Sequence, residues 1–169
     1  LVNLDKSNHY KLFYSSLRMP LPESIKILGQ KANVTIHHHR LPPTLLQFVW
    51  NRLRLFPIEI FIGKCDLFHT SDWTQPPTVF AKTIATIHDL TPFLYPQWHQ
   101  PKVVNAHRHK MYWAVKKCRH LICVSQNTQS DLLKLFPQVD IKKTSVIYES
   151  AESKYSQFLK LPAPTQDKK

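Results

Sequence analysis

The chain has 169 residues, enough for one domain with a sizeable core, and its 43% apolar and 20% charged residues exclude a disordered segment. Twenty-three Lys and Arg against 11 Asp and Glu give +12, which favours anionic partners: nucleic acid, an anionic membrane face or phosphate-bearing small molecules. The two glycines, Gly29 and Gly63, cannot build a GxGxxG turn or a Walker loop, so no glycine-rich phosphate cradle lies within these residues.

In chain order, Tyr10 to Ser15 reads as a first strand and Asn33 to His39 as a second, β-branched and partly alternating. Thr44 is placed to cap a helix through Leu45, Leu46, Phe48, Val49, Trp50, Leu53 and Leu55, which Pro57 breaks. Cys65 to His69 is a short third strand, and Thr83 to His88 a fourth. Pro101 to Cys118 is a helix whose apolar stripe is Val104, Met111, Val115 and Cys118, with Lys102, His109, Lys110, Lys116 and Lys117 mostly off it. His120 to Val124 is a fifth strand. Thr128-Gln129-Ser130-Asp131 matches a capping box ahead of Leu132, Leu133, Leu135 and Phe136, and Thr144 to Tyr148 is a sixth strand.

Strands alternate with helices or long crossovers, and several are unbroken apolar runs of the kind a parallel sheet buries on both faces. The fold class is therefore α/β, with an open sheet. There is no internal repeat, and no apolar run reaches the roughly 18 residues of a membrane span. Cys65, Cys118 and Cys123 form no CxxC and are odd in number, which fits a reducing compartment. The chain begins at Leu1 without a methionine and closes on Leu161-Pro162-Ala163-Pro164, which reads as a linker; the expectation is a fragment of a longer protein.

Ligands of open α/β sheets bind beyond the carboxyl ends of the strands. Here those ends supply His69, Thr70, Ser71, Asp72 and Trp73; then His88, Asp89 and Thr91; then Ser125, Gln126, Asn127 and a helix N-terminus at Thr128. Such groups can hydrogen-bond a polyhydroxy or phosphorylated ligand, with free helix N–H groups offered to an anion. His88 can donate to a substrate oxygen or relay a proton. Asp89 either orients His88 or caps the following turn, and Ser125 after a strand is also an ordinary cap residue.

Other constellations carry less. His37, His38 and His39 alternate faces on a strand, so only His37 and His39 point the same way, and no metal site is expected. Ser125, His88 and Asp89 lack the G-x-S-x-G elbow of a hydrolase triad. The Leu45 to Phe61 segment, with Arg52 and Arg54, reads first as a helix packed on the sheet and second as a membrane-surface segment. Lys and Arg are scattered rather than blocked, and no motif for nucleic acid is present, so nucleic acid is not the expected partner.

The strand ends resemble the N-terminal half of glycosyltransferase family 4 enzymes. The resemblance is carried by Cys65 to His69, by Ala85-Thr86-Ile87-His88-Asp89-Leu90-Thr91-Pro92 with Tyr95-Pro96, by Leu121 to Leu132 and by Ile141 to Tyr148, together roughly residues 60 to 155. It implies a GT-B architecture of two Rossmann-like domains facing a cleft, each an open, mostly parallel sheet with helices on both faces. The N-terminal domain would hold a glycan or lipid-linked acceptor, and the C-terminal domain a nucleotide-sugar donor. Transfer would retain the anomeric configuration and need no metal or other cofactor.

By the same likeness His88 is the catalytic candidate, with His69, Asp89, Ser125 and Thr128 as substrate-binding candidates. Residues 1–155 would be the Rossmann-like domain, lacking the family's first strand and glycine-rich loop; residues 156–169 would be a linker or the start of the second domain. The setting would be cytoplasmic, with peripheral contact with an anionic membrane. The departures are Glu149-Ser150-Ala151-Glu152, where many relatives carry Asn or Gly followed by Val-Asp, and the lack of the donor domain's paired glutamates. A non-catalytic basic α/β module that binds polyanions is the alternative.

Overall fold

β-branched and aromatic residues form the first two strands as expected. In the computed structural model of the chain, which describes residues 2, 4–70 and 73–150, β1 (Tyr10–Ser15) and β2 (Val34–His39) pair in parallel from Tyr10↔Val34 to Ser15↔His39. A helix that the sequence reading passed over, α1 (Glu23–Gly29), connects them. A Cβ at Gly29 would collide with the Ile36 side chain, so the missing side chain lets α1 close on β2.

The next helix differs from expectation at both ends. It begins with Pro43 in its first turn, where a missing N–H costs nothing, so Pro42 and not Thr44 stands at the cap of α2 (Pro43–Phe48). The chain then widens into a π-helical turn, Val49–Leu53, and leaves it through Arg54 and Phe56, both with positive φ. The Trp50 indole N–H donates to the Phe56 carbonyl at 2.9 Å, which ties that exit down. A one-turn helix, α3 (Glu59–Ile62), follows.

The remaining strands, β3 (Leu67–Thr70), β4 (Lys82–Ile87), β5 (His120–Cys123) and β6 (Thr144–Val146), form a four-stranded parallel sheet in the order β3-β4-β5-β6. Among the described residues the six strands thus hydrogen-bond as a pair and a quartet, each parallel within itself. The arrangement is α/β and Rossmann-like, parallel strands flanked by helices. The two pieces share an apolar cluster of Leu46, Trp50, Ile58 and Ile62, packed by Phe13 of β1 and Phe68 of β3. Lys11 of β1 reinforces the junction, donating to the Ile62 and Lys64 carbonyls at 3.0 and 2.8 Å.

Between β4 and β5 come α4 (Thr91–Leu94), a 3-10 turn (Pro96–Trp98) and α5 (Pro101–Lys117); α6 (Gln126–Leu135) and a second 3-10 turn (Ile141–Lys143) lead to β6. Ala85, Ile87, Leu121 and Cys123 alternate onto one face of the quartet and pack with Met111 and Ala114 of α5, Cys118 beyond it, and Leu132 of α6. The alternate residues Ile84, Thr86, His120 and Ile122 are only part-buried.

The stripe expected on α5 holds except at one place. Lys110, read as lying off it, is 2% exposed, and its Nζ reaches the Thr86 carbonyl at 3.5 Å. The aliphatic stem packs inward while the ammonium finds backbone near the end of β4. Among the described residues no helix is long and apolar enough to cross a membrane. Ser71, Asp72 and the expected linker at 156–169 lie outside the described residues.

Candidate functional site

Parallel pairing in register brings the carboxyl ends of four strands to one edge. Thr70 lies opposite Ala85, Ile87 opposite Cys123, and Cys123 opposite Val146. The pairing runs one step further: Val124 N–H donates to the Ile87 carbonyl at 3.3 Å, and Ile147 N–H to the Cys123 carbonyl at 2.9 Å. His88, Ser125 and Glu149, which follow β4, β5 and β6, therefore share a rim.

His88 sits at the centre of it. Its Nδ1 lies 2.8 Å from Oε1 of Glu149, so the side chains meet across the end of β5. Both are open to solvent, at 36% for the His88 side chain and 65% for Glu149. The His88 carbonyl accepts from Thr128 Oγ1 at 3.2 Å, which ties the first turn of α6 to the end of β4. A ring and a carboxylate thus stand beside a helix N-terminus whose first N–H groups, those of Gln126 and Asn127, have no intrahelical acceptor.

Ser125 and Thr128 are brought to the rim, but their hydroxyls serve the fold. Ser125 Oγ accepts from the Thr128 N–H at 3.0 Å and lies 2.9 Å from Thr128 Oγ1. Ser125 is the N-cap, so α6 starts at Gln126, three residues before the helix the Thr128 capping box implied. An extended residue directly after a strand has the backbone geometry that a cap requires, which Thr128 inside the first turn does not.

Asp89 caps the turn rather than orienting His88. Its Oδ1 accepts from Thr91 N–H at 2.8 Å and from Thr91 Oγ1 at 2.5 Å. Loss of water works against ionisation there, but the Thr91 bonds and the nearby His107 and His99 hold the carboxyl below its usual range. His107, on α5, meets the Trp73 ring edge-on at 5.0 Å. His69 is exposed on the edge strand and its Nε2 pairs with Thr86 Oγ1 at 2.8 Å; protein atoms displace water from the ring and lower its pKa.

Two further histidines lie on β2. His39 Nε2 contacts the Phe61 carbonyl at 3.1 Å and its ring stacks on Phe13. Burial, then Lys11, lowers the pKa of His37. Among the described residues no three His, Cys, Asp or Glu side chains gather as a metal would need.

A cavity lies elsewhere. It holds about 500 Å³ at the amino ends of β4 and β5, lined by Arg54, Lys82, Lys117 and Arg119 with Trp113. The Arg54 guanidinium lies 4.4 Å over the Trp113 ring and donates to the Trp50 and Gln75 carbonyls. Scattered in sequence, these cations converge only through the order of the strands. Glu149 was also missed as a site residue. It stood out as an unusual residue after the last strand, but nothing local to it pointed to His88.

The glycosyltransferase family 4 profile matches residues 5–150, and the chain belongs to that family. It is also 33% identical over 111 residues to the O-antigen chain mannosyltransferase RfbU of Salmonella typhimurium strain LT2, a match covering 66% of this chain and 30% of that protein.

Proposed function

We propose that these residues form the acceptor side of a retaining glycosyltransferase, which moves a sugar from a nucleotide-sugar to a glycan or lipid-linked acceptor at the cytoplasmic face of a membrane. The donor would be held mainly by a second domain outside this chain, with 1–155 as the acceptor-side unit and 156–169 as the link. The observation that carries the reading is His88 on an open rim, beside the N-terminus of α6, inside the span matched by the family.

At that rim the ring of His88 hydrogen-bonds a sugar or acceptor hydroxyl. The leading N–H groups of α6 are oriented to favour negative charge as the phosphate departs. Asp89, Ser125 and Thr128 act on substrate through the shape they give the rim, since their oxygens already bond to the fold. His69 lies one strand away, opposite Ile84 and thus short of the rim that carries His88.

The test is a nucleotide-sugar turnover screen on the full-length protein, beginning with a mannose donor because the relative is named a mannosyltransferase. His88→Ala is expected to lower kcat by about a hundredfold with an unchanged melting temperature. Transfer at the wild-type rate would remove His88 from the mechanism.

A second reading, a basic module that binds polyanions, is favoured by one observation, the cavity lined by Arg54, Lys82, Lys117 and Arg119. It stands at the opposite ends of the strands from His88, so His88→Ala should leave such binding unaltered.

A further inference from the structure

We infer that the cavity at the amino ends of β4 and β5 is a binding site for a compact phosphate-bearing ligand, a mono- or diphosphate, separate from the rim that carries His88. The inference narrows the polyanion-binding reading to one place and one chemical group, and it does not depend on sugar transfer.

Four cations reach the cavity from four points of the chain. Arg54 comes from the exit of the π-helical turn, Lys82 opens β4, Lys117 ends α5 and Arg119 stands just before β5. The Arg119 N–H donates to the Thr83 carbonyl at 2.7 Å, and Thr83 Oγ1 donates to the Lys117 carbonyl at 3.4 Å, so the backbone that carries the last three is tied together. No Asp or Glu lines the cavity. Glu59, which holds the amides of Val79, Phe80 and Ala81, is not among the lining residues. The ion pairs among the described residues, Lys26 with Glu23 and His88 with Glu149, involve none of the four cations.

Arg54 is fixed before any ligand arrives. Its backbone is left-handed, φ 57°, a conformation that costs a non-glycine residue energy and persists only where the surroundings impose it. Those surroundings are the Trp50 and Gln75 carbonyls, to which the guanidinium donates through Nη1, and the Trp113 ring 4.4 Å from it. With Arg54 over that ring and Lys116 Nζ 5.6 Å from its centre, the aromatic wall backs cations instead of offering a bare face to a base. The volume, about 500 Å³, suits a small molecule. Clustered positive charge with guanidinium donors matches the double charge and several acceptor oxygens of a phosphate better than a single carboxylate. Soluble phosphates and lipid headgroups share that chemistry.

The experiment uses the full-length protein and reads binding by calorimetry, first with inorganic pyrophosphate and then with vesicles of phosphatidic acid in a neutral phospholipid. Pyrophosphate is expected to bind. Lys82→Ala and Arg119→Ala should each weaken it roughly tenfold without moving the melting temperature of the ligand-free protein. Lys102→Ala, which removes a cation from the opposite end of α5, should leave the affinity unchanged. Vesicle binding with the same dependence on Lys82 and Arg119 would assign the phosphate to a lipid headgroup, and pyrophosphate binding alone to a soluble ligand.

Equal weakening by Lys102→Ala would reduce the effect to net charge and overturn the site. Binding that neither Lys82→Ala nor Arg119→Ala weakens would also overturn it, moving polyanion attachment elsewhere on the molecule. So would the absence of binding to both probes. None of these arms reads sugar transfer, so a failure of that reading registers separately.

Discussion

Glu59 brings one carboxylate oxygen to three consecutive backbone amides: Val79, Phe80 and Ala81 donate to its Oε1 at 3.0, 3.0 and 3.1 Å. This clamps the loop before β4 onto α3. Partial burial works against the charge, but the amides outweigh it and hold the Glu59 pKa below its ordinary value. The sign follows directly. As pH falls the unfolded chain takes up the proton first, near pH ~4.3, so the clamp's stabilisation is complete above that value and is lost as pH falls through the lower folded pKa. Glu59→Gln should cost roughly 1–3 kcal/mol at neutral pH. Unfolding curves of the two proteins should converge on acidification below about pH 4; a constant gap down to pH ~3 would show that the charge is not what holds the loop. Burial acts in the same direction on thiols, and there it prevails, pushing Cys118 and Cys123 up to about 11, so both stay protonated and unreactive.

The N-terminus of α6 shows how an element supports a site without touching a ligand. Ser125 leaves β5 in an extended conformation, turns the chain, and satisfies the Thr128 amide; Thr128 then reaches back to the His88 carbonyl. Leu132, fully buried on the inner side of the same helix, presses it onto the sheet. Ser125→Ala should therefore cost about 1 kcal/mol, the usual worth of a cap, measured as a shift in denaturant midpoint with an unchanged slope. A shift within error would mean that water or a neighbour replaces the hydroxyl. The capping-box signal at Thr128 misplaced the start of α6 because side-chain type alone does not report backbone conformation. Ser125 was legible as a cap residue, and the strand before it made it the better candidate.

At the scale of the molecule, +12 of net charge is spread along the chain, yet the fold gathers Arg54, Lys82, Lys117 and Arg119 around one cavity. If that cavity meets a polyanionic surface, binding of the full-length protein to vesicles rich in anionic phospholipid should weaken as salt rises. Each basic side chain near such a surface is worth about 1 kcal/mol, so Arg119→Glu should weaken binding by at least that much. Salt-independent binding would remove the second reading. The sheet divides into a pair and a quartet, a division that no local pattern announces. Parallel direction and strand order, rather than any single motif, are what place His88, Ser125 and Glu149 on one rim.

The sequence by itself determined where the strands run, because β-branched runs and alternation are local properties, and it determined the α/β class and the position of His88 at a strand end. Only the tertiary structure decided that Glu149 meets that ring while Asp89 bonds Thr91, that Lys110 turns inward to the Thr86 carbonyl, and that four scattered cations share a cavity. The reason is physical: each of these contacts joins residues far apart in the chain. Such distances are set by strand order and register, which the individual segments do not encode.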